Sequence, residues 1–175
     1  MKDRYVLKIC SSGSYQVGKT SLIRRYAENA FSMNYMPTIG VDITTKVITV
    51  HNQEVKLILH DTAGQEYFGK LRKFYYEGSS GCLIVYDITR RDTFETLEYW
   101  INDYRSVQGE EKSIAIIGNK IDLEDERQVS TEEGASVAKS YDIPFYECSA
   151  KIGGETITEI YTTLVKYNID ELKHD

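Results

Sequence analysis

Short runs of apolar residues recur along the chain and alternate with stretches of helical periodicity. The apolar runs predict strands at residues 5–10, 41–50, 54–60, 82–86, 114–117 and 144–148. Because only residues 51–53 separate the second and third runs, we predict that these two strands form an antiparallel hairpin. The runs at 82–86 and 114–117 are apolar throughout, which is typical of strands that are covered on both faces.

Helical patterns fill the intervals between these runs. The first helix is predicted at about residues 18–29, and Ser130 with Glu133 forms a capping box that opens a later one. Two apolar stripes predict helical faces, one made by Phe94, Leu97, Ile101 and Tyr104 and one by Ile157, Ile160, Tyr161, Leu164 and Val165. The alternation predicts an α/β fold with an open, mostly parallel sheet and helices on both faces. Ligands of such sheets bind beyond the carboxyl ends of the strands.

Composition changes this picture little. A chain of 175 residues fits one domain, residues 1–175, and its net charge of −6 argues against a nucleic-acid partner. The three cysteines are widely spaced and two lie in apolar runs, so we expect them to be reduced and the chain to be cytoplasmic. No apolar stretch approaches the roughly 20 residues that a membrane-spanning helix needs.

A glycine-rich loop follows the first predicted strand and opens the first predicted helix. It matches the phosphate-binding pattern G-x-x-x-x-G-K-[ST], in which backbone N–H groups and the helix N-terminus surround an anion. The ammonium group of Lys19 adds charge for the β- and γ-phosphates, and the hydroxyl of Thr20 suits Mg²⁺. The residues of this loop are Gly13, Ser14, Tyr15, Gln16, Val17, Gly18, Lys19 and Thr20.

A second polar segment, Asp61-Thr62-Ala63-Gly64-Gln65-Glu66, ends the third predicted strand. An acid at this position can hold the water shell of Mg²⁺, so Asp61 is a candidate metal residue through water. Gly64 lacks a Cβ, so its N–H can approach a γ-phosphate closely. Gln65 has the reach to orient an attacking water.

Two further motifs end the next strands and fit recognition of a base. Guanine presents two adjacent donors that one carboxylate, Asp122, can accept, whereas adenine would leave that carboxylate unpaired. The stem of Lys120 can lie on the base, and the N–H of Ala150 can donate to the guanine carbonyl. The candidate base-binding residues are Asn119, Lys120, Asp122, Ser149, Ala150 and Lys151.

From residue 7 to about residue 167 the sequence resembles small GTPases of the Ras superfamily, most closely the Rab branch. The resemblance rests on the motifs GSYQVGKT, MPTIGVD, DTAGQE, FYYEG, NKID and CSAK, in this order. It implies a three-layer P-loop NTPase fold whose six-stranded, mostly parallel sheet has one antiparallel edge strand. It also implies a molecular switch that binds GTP or GDP with Mg²⁺, hydrolyses GTP slowly and regulates vesicle trafficking. The alternatives are a Ran-like GTPase and a guanine-nucleotide-binding scaffold with little hydrolysis.

The resemblance also assigns roles to individual residues. Phe31 would pack against guanine, Ser21 would contact the nucleotide, and Thr38 would bind Mg²⁺ together with Thr20. The implied catalytic residues are Lys19, Thr38, Gly64 and Gln65. Exchange factors, GTPase-activating proteins and effectors would bind a monomer through switch regions 33–41 and 64–76.

Three features depart from the family pattern. Tyr15 and Gln16 replace the small residues usual in the middle of the phosphate loop, and Tyr15 lies at the position expected beside the γ-phosphate. The aromatic triad that Rab proteins present to effectors is here Ile43, His60 and Tyr75.

The third departure is at the C-terminus. The sequence ends at Asp175 without the cysteines that Rab-type prenylation requires. We therefore expect either a membrane-targeting tail that this sequence does not include or a protein that is not lipidated. A prenylated tail would place the protein on the cytosolic face of intracellular membranes.

Overall fold

The computed structural model describes residues 4–34, 36–39, 41–63, 69–111 and 113–172. The strands are β1 (Arg4–Ser12), β2 (Val41–Val50), β3 (Gln53–Thr62), β4 (Gly81–Asp87), β5 (Ser113–Asn119) and β6 (Phe145–Cys148). The helices are α1 (Lys19–Glu28), α2 (Gly69–Tyr76), α3 (Arg91–Glu95), α4 (Leu97–Gln108), α5 (Thr131–Ser140) and α6 (Glu155–Leu172). A short 3₁₀ helix covers Ile121–Glu126.

The six strands form one sheet in the order β2-β3-β1-β4-β5-β6. Strand β2 lies at the edge and pairs antiparallel with β3, while the other neighbouring strands are parallel. The predicted fold class is therefore confirmed, including its single antiparallel edge strand.

The turn between β2 and β3 is tighter than the sequence suggested. Val50 pairs directly with Gln53, so only His51 and Asn52 form the turn. Both turn residues have positive φ, 50° and 61°, which is the backbone that a two-residue hairpin of the right twist needs. Gln53 therefore belongs to the strand.

Two hydrophobic layers enclose the sheet, because neighbouring residues of a strand point to opposite faces. Ile9 and Leu83 pack on the layer of α1 and α6, whereas Cys10 and Ile84 pack on the layer that includes α4 and α5. The alternation explains why the central strands are apolar throughout. It confirms the prediction of helices on both faces.

One predicted helical stripe is divided between two helices. Phe94 lies in α3, whereas Leu97, Ile101 and Tyr104 lie in α4. At the break, the hydroxyl of Thr96 donates to the carbonyl oxygen of Thr93 at 2.8 Å. Such a local side-chain bond competes with the regular helical ladder. The four side chains still pack in one hydrophobic layer, so the predicted shared face is confirmed although the helix is interrupted.

All three cysteines are buried and unpaired, as expected for reduced thiols. Burial raises the pKa of the Cys10 thiol to about 11 and that of Cys148 to about 12. Both thiols therefore lack the thiolate character of reactive cysteines. In the part of the chain that the structure describes, no helix is both long and apolar enough to span a bilayer.

Candidate nucleotide-binding site

A cleft of about 430 Å³ opens at the carboxyl edge of the parallel strands, where the fold class predicts a ligand. Thirteen of the predicted site residues line it: Tyr15, Gln16, Gly18, Lys19, Thr20, Ser21, Phe31, Thr38, Asn119, Lys120, Asp122, Ala150 and Lys151. Others contact these lining residues from behind, among them Gly13, Ser14, Val17, Asp61 and Ser149. Gly64 and Gln65 lie outside the described residues.

The two glycines of the phosphate loop are required by its backbone path. Gly13 and Gly18 have φ values of 136° and 100°, which side chains rarely allow. A Cβ at Gly13 would lie 2.2 Å from the carbonyl oxygen of Val85, and one at Gly18 would lie 2.2 Å from Nδ2 of Asn119. The loop therefore passes close to β4 and β5, and α1 starts directly behind it.

Lys19 is the cation of this loop. Its Nζ donates to the carbonyl oxygens of Gly13 at 2.9 Å and Ser14 at 2.7 Å. Burial lowers the pKa of Lys19 to about 8, although the carboxylate of Asp61 opposes the shift. An anion in the cleft would stabilise the protonated form, so the environment of this ammonium group suits a phosphate.

Three oxygen-bearing side chains converge beside Lys19. The hydroxyls of Thr20 and Thr38 are 3.0 Å apart, and Thr38 donates to Oδ2 of Asp61 at 3.2 Å. Thr20 donates to the same oxygen. Burial raises the pKa of Asp61, and its Oδ1 has no hydrogen-bond partner within the described ranges. Hard oxygens, together with one buried and unsatisfied carboxylate oxygen, fit Mg²⁺ at this position.

The opposite end of the cleft holds the residues predicted to recognise a base. Asn119 donates to the carbonyl oxygen of Val17 at 2.9 Å and accepts from the N–H of Ala150 at 3.1 Å. Ser149 donates to Oδ1 of Asp122 at 2.6 Å. These bonds connect the phosphate loop, the end of β5 and the loop after β6. Because the N–H of Ala150 bonds to Asn119 here, its donation to a guanine carbonyl stays a prediction.

Lys120 has a partner that sequence reasoning missed. Its Nζ lies 2.6 Å from Oδ2 of Asp87 and donates to the carbonyl oxygen of Gln16 at 2.9 Å. Asp87 is buried and stands opposite Asn119 in the sheet. The available signal was an acid directly after the apolar run at 82–86. The ion pair holds the stem of Lys120 along the floor of the cleft.

Tyr15 and Gln16 both line the cleft. The side chain of Tyr15 is 37% exposed. Its carbonyl oxygen accepts a hydrogen bond of 3.0 Å from Arg90, which also pairs with Asp92 at 2.9 Å. Arg90 is a further lining residue that no motif indicated.

The altered triad positions are neighbours in space. Ile43 and His60 face each other across β2 and β3, and the rings of His60 and Tyr75 are 5.8 Å apart. Burial lowers the pKa of His60 to about 4, helped by the positive charge of Lys8. The middle of this surface is therefore a neutral imidazole between an aliphatic and a phenolic side chain.

Exposed apolar side chains surround these positions. Met36, Ile39 and Ile43 on one side and Leu71 and Phe74 on the other are at least 39% exposed. They belong to or adjoin the two segments predicted to be switch regions. A protein partner would gain apolar contact area on this surface.

The sequence is similar to curated proteins over most of its length. The Ras family profile matches residues 8–170. Ras-related protein Rab-21 from Homo sapiens is 40% identical over 171 residues, which is 98% of this chain and 76% of that protein. The Mus musculus Rab-21 is 39% identical over 171 residues, covering 98% of this chain and 77% of the relative.

A more distant organism provides a similar match. Ras-related protein Rab-11B from Dictyostelium discoideum is 42% identical over 146 residues, which is 83% of this chain and 66% of that protein. These matches agree with the order of the motifs, the six-stranded sheet and the cleft at its carboxyl edge. The chain therefore belongs to the Ras family and is a Rab-like small GTPase.

Proposed function

We propose that this protein is a switch that binds GTP or GDP with Mg²⁺, hydrolyses GTP slowly and regulates vesicle trafficking. The proposal rests on one observation: the predicted phosphate-binding and base-binding residues, which are far apart in the sequence, line the same cleft. Lys19 marks the phosphate end, and Asp122, held by Ser149, marks the base end. A nucleotide has the matching arrangement of anionic phosphates and a hydrogen-bonding base.

Specificity for guanine rests on the chemistry of Asp122. Its carboxylate has only acceptor oxygens, and one of them already accepts from Ser149. Guanine would supply donors to the remaining acceptor sites, whereas adenine has no matching pair of donors. A buried polar group that loses its partner is costly, so adenine nucleotides should bind far more weakly.

Mg²⁺ would be held by Thr20 and Thr38, with Asp61 acting through water. When bound, the ion would neutralise charge on the β- and γ-phosphates. Thr38 belongs to switch region 33–41, so a γ-phosphate and its metal would order this segment. Loss of the γ-phosphate would remove that contact and release the segment.

Partner proteins would bind switch regions 33–41 and 64–76 and would thereby distinguish the ordered GTP state from the GDP state. The exposed apolar side chains around Ile43 and Phe74 support binding of exchange factors, activating proteins and effectors there. We further propose that residues 1–175 form a single nucleotide-binding domain that acts as a monomer in the cytoplasm. A prenylated tail would direct it to the cytosolic face of intracellular membranes.

Tyr15 favours a second candidate, a guanine-nucleotide-binding scaffold with little hydrolysis. Tyr15 lines the cleft, is partly exposed and stands at the loop position expected beside the γ-phosphate. Catalysis of phosphoryl transfer depends on an aligned water and, in many cases, an inserted arginine. A bulky side chain can occupy the space that both require.

One purification tests both candidates. The nucleotide that copurifies in Mg²⁺ buffer is released by denaturation and identified by chromatography, and we expect GDP or GTP. Single-turnover hydrolysis of added GTP then separates a slow GTPase from a scaffold. Competition by ADP at the same concentration as GDP would contradict guanine recognition. GTP that stays intact with an activating protein would favour the scaffold.

A further inference from the structure

Arg25, close to the end of α1, contacts the loop that follows β6. Its Nε donates to the carbonyl oxygen of Ala150 at 2.8 Å, and its Nη2 donates to that of Lys151 at 2.7 Å. Its Nη1 donates to the side-chain oxygen of Asn29 at 3.1 Å and to the carbonyl oxygen of that residue at 3.3 Å. One guanidinium group thus connects the end of α1 to two successive carbonyls of the base-recognition loop.

The loop closes over the stem of Arg25. Gly153 has φ of 81°, and its N–H donates to the carbonyl oxygen of Ser149 at 2.8 Å. A Cβ at Gly153 would lie 3.1 Å from Cδ of Arg25. A residue other than glycine would be strained there and would press on the arginine stem. The loop conformation and the position of Arg25 therefore depend on each other.

The carbonyls that Arg25 holds determine the direction of the next N–H group. A peptide unit is planar and trans, so its N–H points opposite to its C=O. Because the carbonyl of Ala150 points to Arg25, the N–H of Lys151 points away from Arg25. Ala150 and Lys151 both line the cleft. The N–H of Lys151 is therefore a donor of the cleft lining whose direction is set by the contact of Arg25 with the Ala150 carbonyl.

Other bonds hold the start of the loop, but these do not involve Arg25. Ser149 bonds to Asp122, and the N–H of Ala150 bonds to Asn119. Among the described contacts, the bond from Arg25 to the carbonyl of Ala150 is the one that holds the peptide group between Ala150 and Lys151. The next peptide group is held twice, by Arg25 at its carbonyl and by Oγ of Ser149, which accepts from the N–H of Ile152 at 3.1 Å. We propose that Arg25 is a positioning residue that orients the backbone N–H of Lys151 toward the 6-carbonyl of guanine. The inference rests on the guanine-nucleotide binding proposed above.

The arrangement also connects both ends of the cleft through one helix. Helix α1 starts at Gly18, beside the phosphate loop, and Arg25 lies in its last turn. A helix of 10 residues is about 15 Å long and rigid on this scale. Helix α1 and the two hydrogen bonds of Arg25 to the loop carbonyls therefore connect the phosphate loop with the base-recognition loop, in addition to the bonds of Asn119.

The test compares GDP with the diphosphate of 2,6-diaminopurine riboside. GDP carries a carbonyl at position 6 and a hydrogen on ring nitrogen 1, whereas the analogue carries an amino group at position 6, lacks that hydrogen and keeps the 2-amino group. The wild-type protein should prefer GDP, because the N–H of Lys151 meets an acceptor in GDP and a donor in the analogue and because Asp122 loses one donor in the analogue. The loss at Asp122 is the same in the wild type and in a variant of Arg25, so a change in the preference reports the contact at position 6. In Arg25→Ala we expect the ratio of affinities for GDP and the analogue to fall by roughly three- to tenfold, which corresponds to the contribution of one hydrogen bond.

Matched controls separate positioning from general stability. Arg105→Ala removes another arginine that donates to a loop carbonyl, that of Tyr141 at 3.4 Å, at a place that does not line the cleft. It should leave the nucleotide preference unchanged. The ratio of affinities for GDP and IDP reports the contact of Asp122 with the 2-amino group, and it should change little in Arg25→Ala.

Each outcome decides the inference. Equal losses of affinity for both diphosphates, with a lower melting temperature, would show that Arg25 only stabilises the fold and would overturn it, as would unchanged affinities. If Arg25→Ala does not fold, Arg25→Gln takes its place, because its amide can satisfy only one carbonyl and the preference should still fall. A wild-type protein that binds GDP no better than ADP would instead refute the proposed function.

Discussion

The indole N–H of Trp100 donates to the hydroxyl of Ser14 in the phosphate loop at a distance of 3.3 Å. The same N–H lies 3.1 Å from the hydroxyl of Thr96. The guanidinium of Arg72, on helix α2, lies 4.7 Å from the centre of the Trp100 ring, and Arg72 pairs with Asp103 at 2.9 Å. Trp100 therefore contacts both the phosphate loop and the helix in the second switch region.

Because of this position, we expect the fluorescence of Trp100 to depend on which nucleotide is bound. It is the only tryptophan of the sequence, so the emission of the protein comes largely from this site. We expect the emission to change when GDP is replaced by a non-hydrolysable GTP analogue, because Trp100 contacts both the phosphate loop and α2, which the proposed switch would rearrange around the γ-phosphate. Stopped-flow fluorescence measures the change. Trp100→Phe should abolish it and cost about 1–2 kcal/mol of stability through the lost hydrogen bond and a weaker cation–π contact.

An emission spectrum that is identical in both nucleotide states would contradict the coupling. Ser14→Ala is the matched control, because it removes the hydrogen-bond partner in the phosphate loop, leaves the one at Thr96 and keeps the fluorophore. In that variant the signal should shrink while tryptophan emission itself persists. The melting temperature of each variant with bound GDP verifies that the fold is retained.

The base preference should follow the side chain at position 122. Asp122→Asn replaces one acceptor oxygen with an amide donor, which suits the 2-oxo group of xanthine better than the 2-amino group of guanine. We expect weaker GDP binding and a preference for XDP, with a total change of about two orders of magnitude or more. Competition binding with GDP, XDP and ADP measures it. Undiminished preference for GDP in the variant would refute the assigned role of Asp122.

The sequence predicted the parts of the site that a local pattern encodes. The phosphate loop lies where G-x-x-x-x-G-K-[ST] placed it, because Gly13 and Gly18 are demanded by backbone geometry that no other residue fits. Asn119 and Asp122 lie at the end of a buried strand, and parallel strands carry their ends to the same edge of a sheet. Such features depend on neighbours in the chain and are visible without a structure.

Contacts between distant segments were not predictable in the same way. Arg25 lies 125 and 126 residues from the carbonyls that it holds, and no motif marks either partner. Asp87 becomes the partner of Lys120 only because β4 and β5 are adjacent. The break at Thr96 depends on one side-chain hydrogen bond that competes with a regular helical pattern.

Stability should decrease in mild acid because of His60. Its pKa is lowered to about 4 in the folded protein, whereas an unfolded histidine has a pKa of about 6.5. Between these values the unfolded chain binds a proton that the folded chain does not, so the free energy of unfolding falls as the pH falls. The loss should be at most about 2 kcal/mol at pH 5.

Urea unfolding with saturating GDP and Mg²⁺ at pH 7 and pH 5 measures this loss. His60→Phe keeps a ring beside Tyr75 and Ile43 but cannot titrate, so its stability should fall less over the same interval. Other acidic groups titrate equally in both proteins and cancel in the comparison. Parallel losses in the variant and in the wild type would exclude His60 as the cause.

Hydrolysis should be limited by Tyr15. This residue lines the cleft, and Arg90 holds the backbone at this point by donating to the carbonyl oxygen of Tyr15. A water that attacks the γ-phosphate needs alignment by Gln65, and an arginine from an activating protein needs access from the same side. We expect Tyr15→Gly to hydrolyse GTP about tenfold faster, which corresponds to about 1.4 kcal/mol in the barrier.

Two further variants test whether the bulk of the Tyr15 ring or its hydroxyl slows hydrolysis, and whether the faster rate depends on Gln65. Tyr15→Phe keeps the bulk and removes the hydroxyl, so it should stay as slow as the wild type if the effect is steric. Gln65→Leu combined with Tyr15→Gly should lose most of the gain, because the amide that orients the water is gone. Single-turnover GTP hydrolysis, with and without an activating protein, measures all four proteins. If Tyr15→Gly is no faster than the wild type in either condition, the ring does not limit the rate, and slow turnover would need another cause.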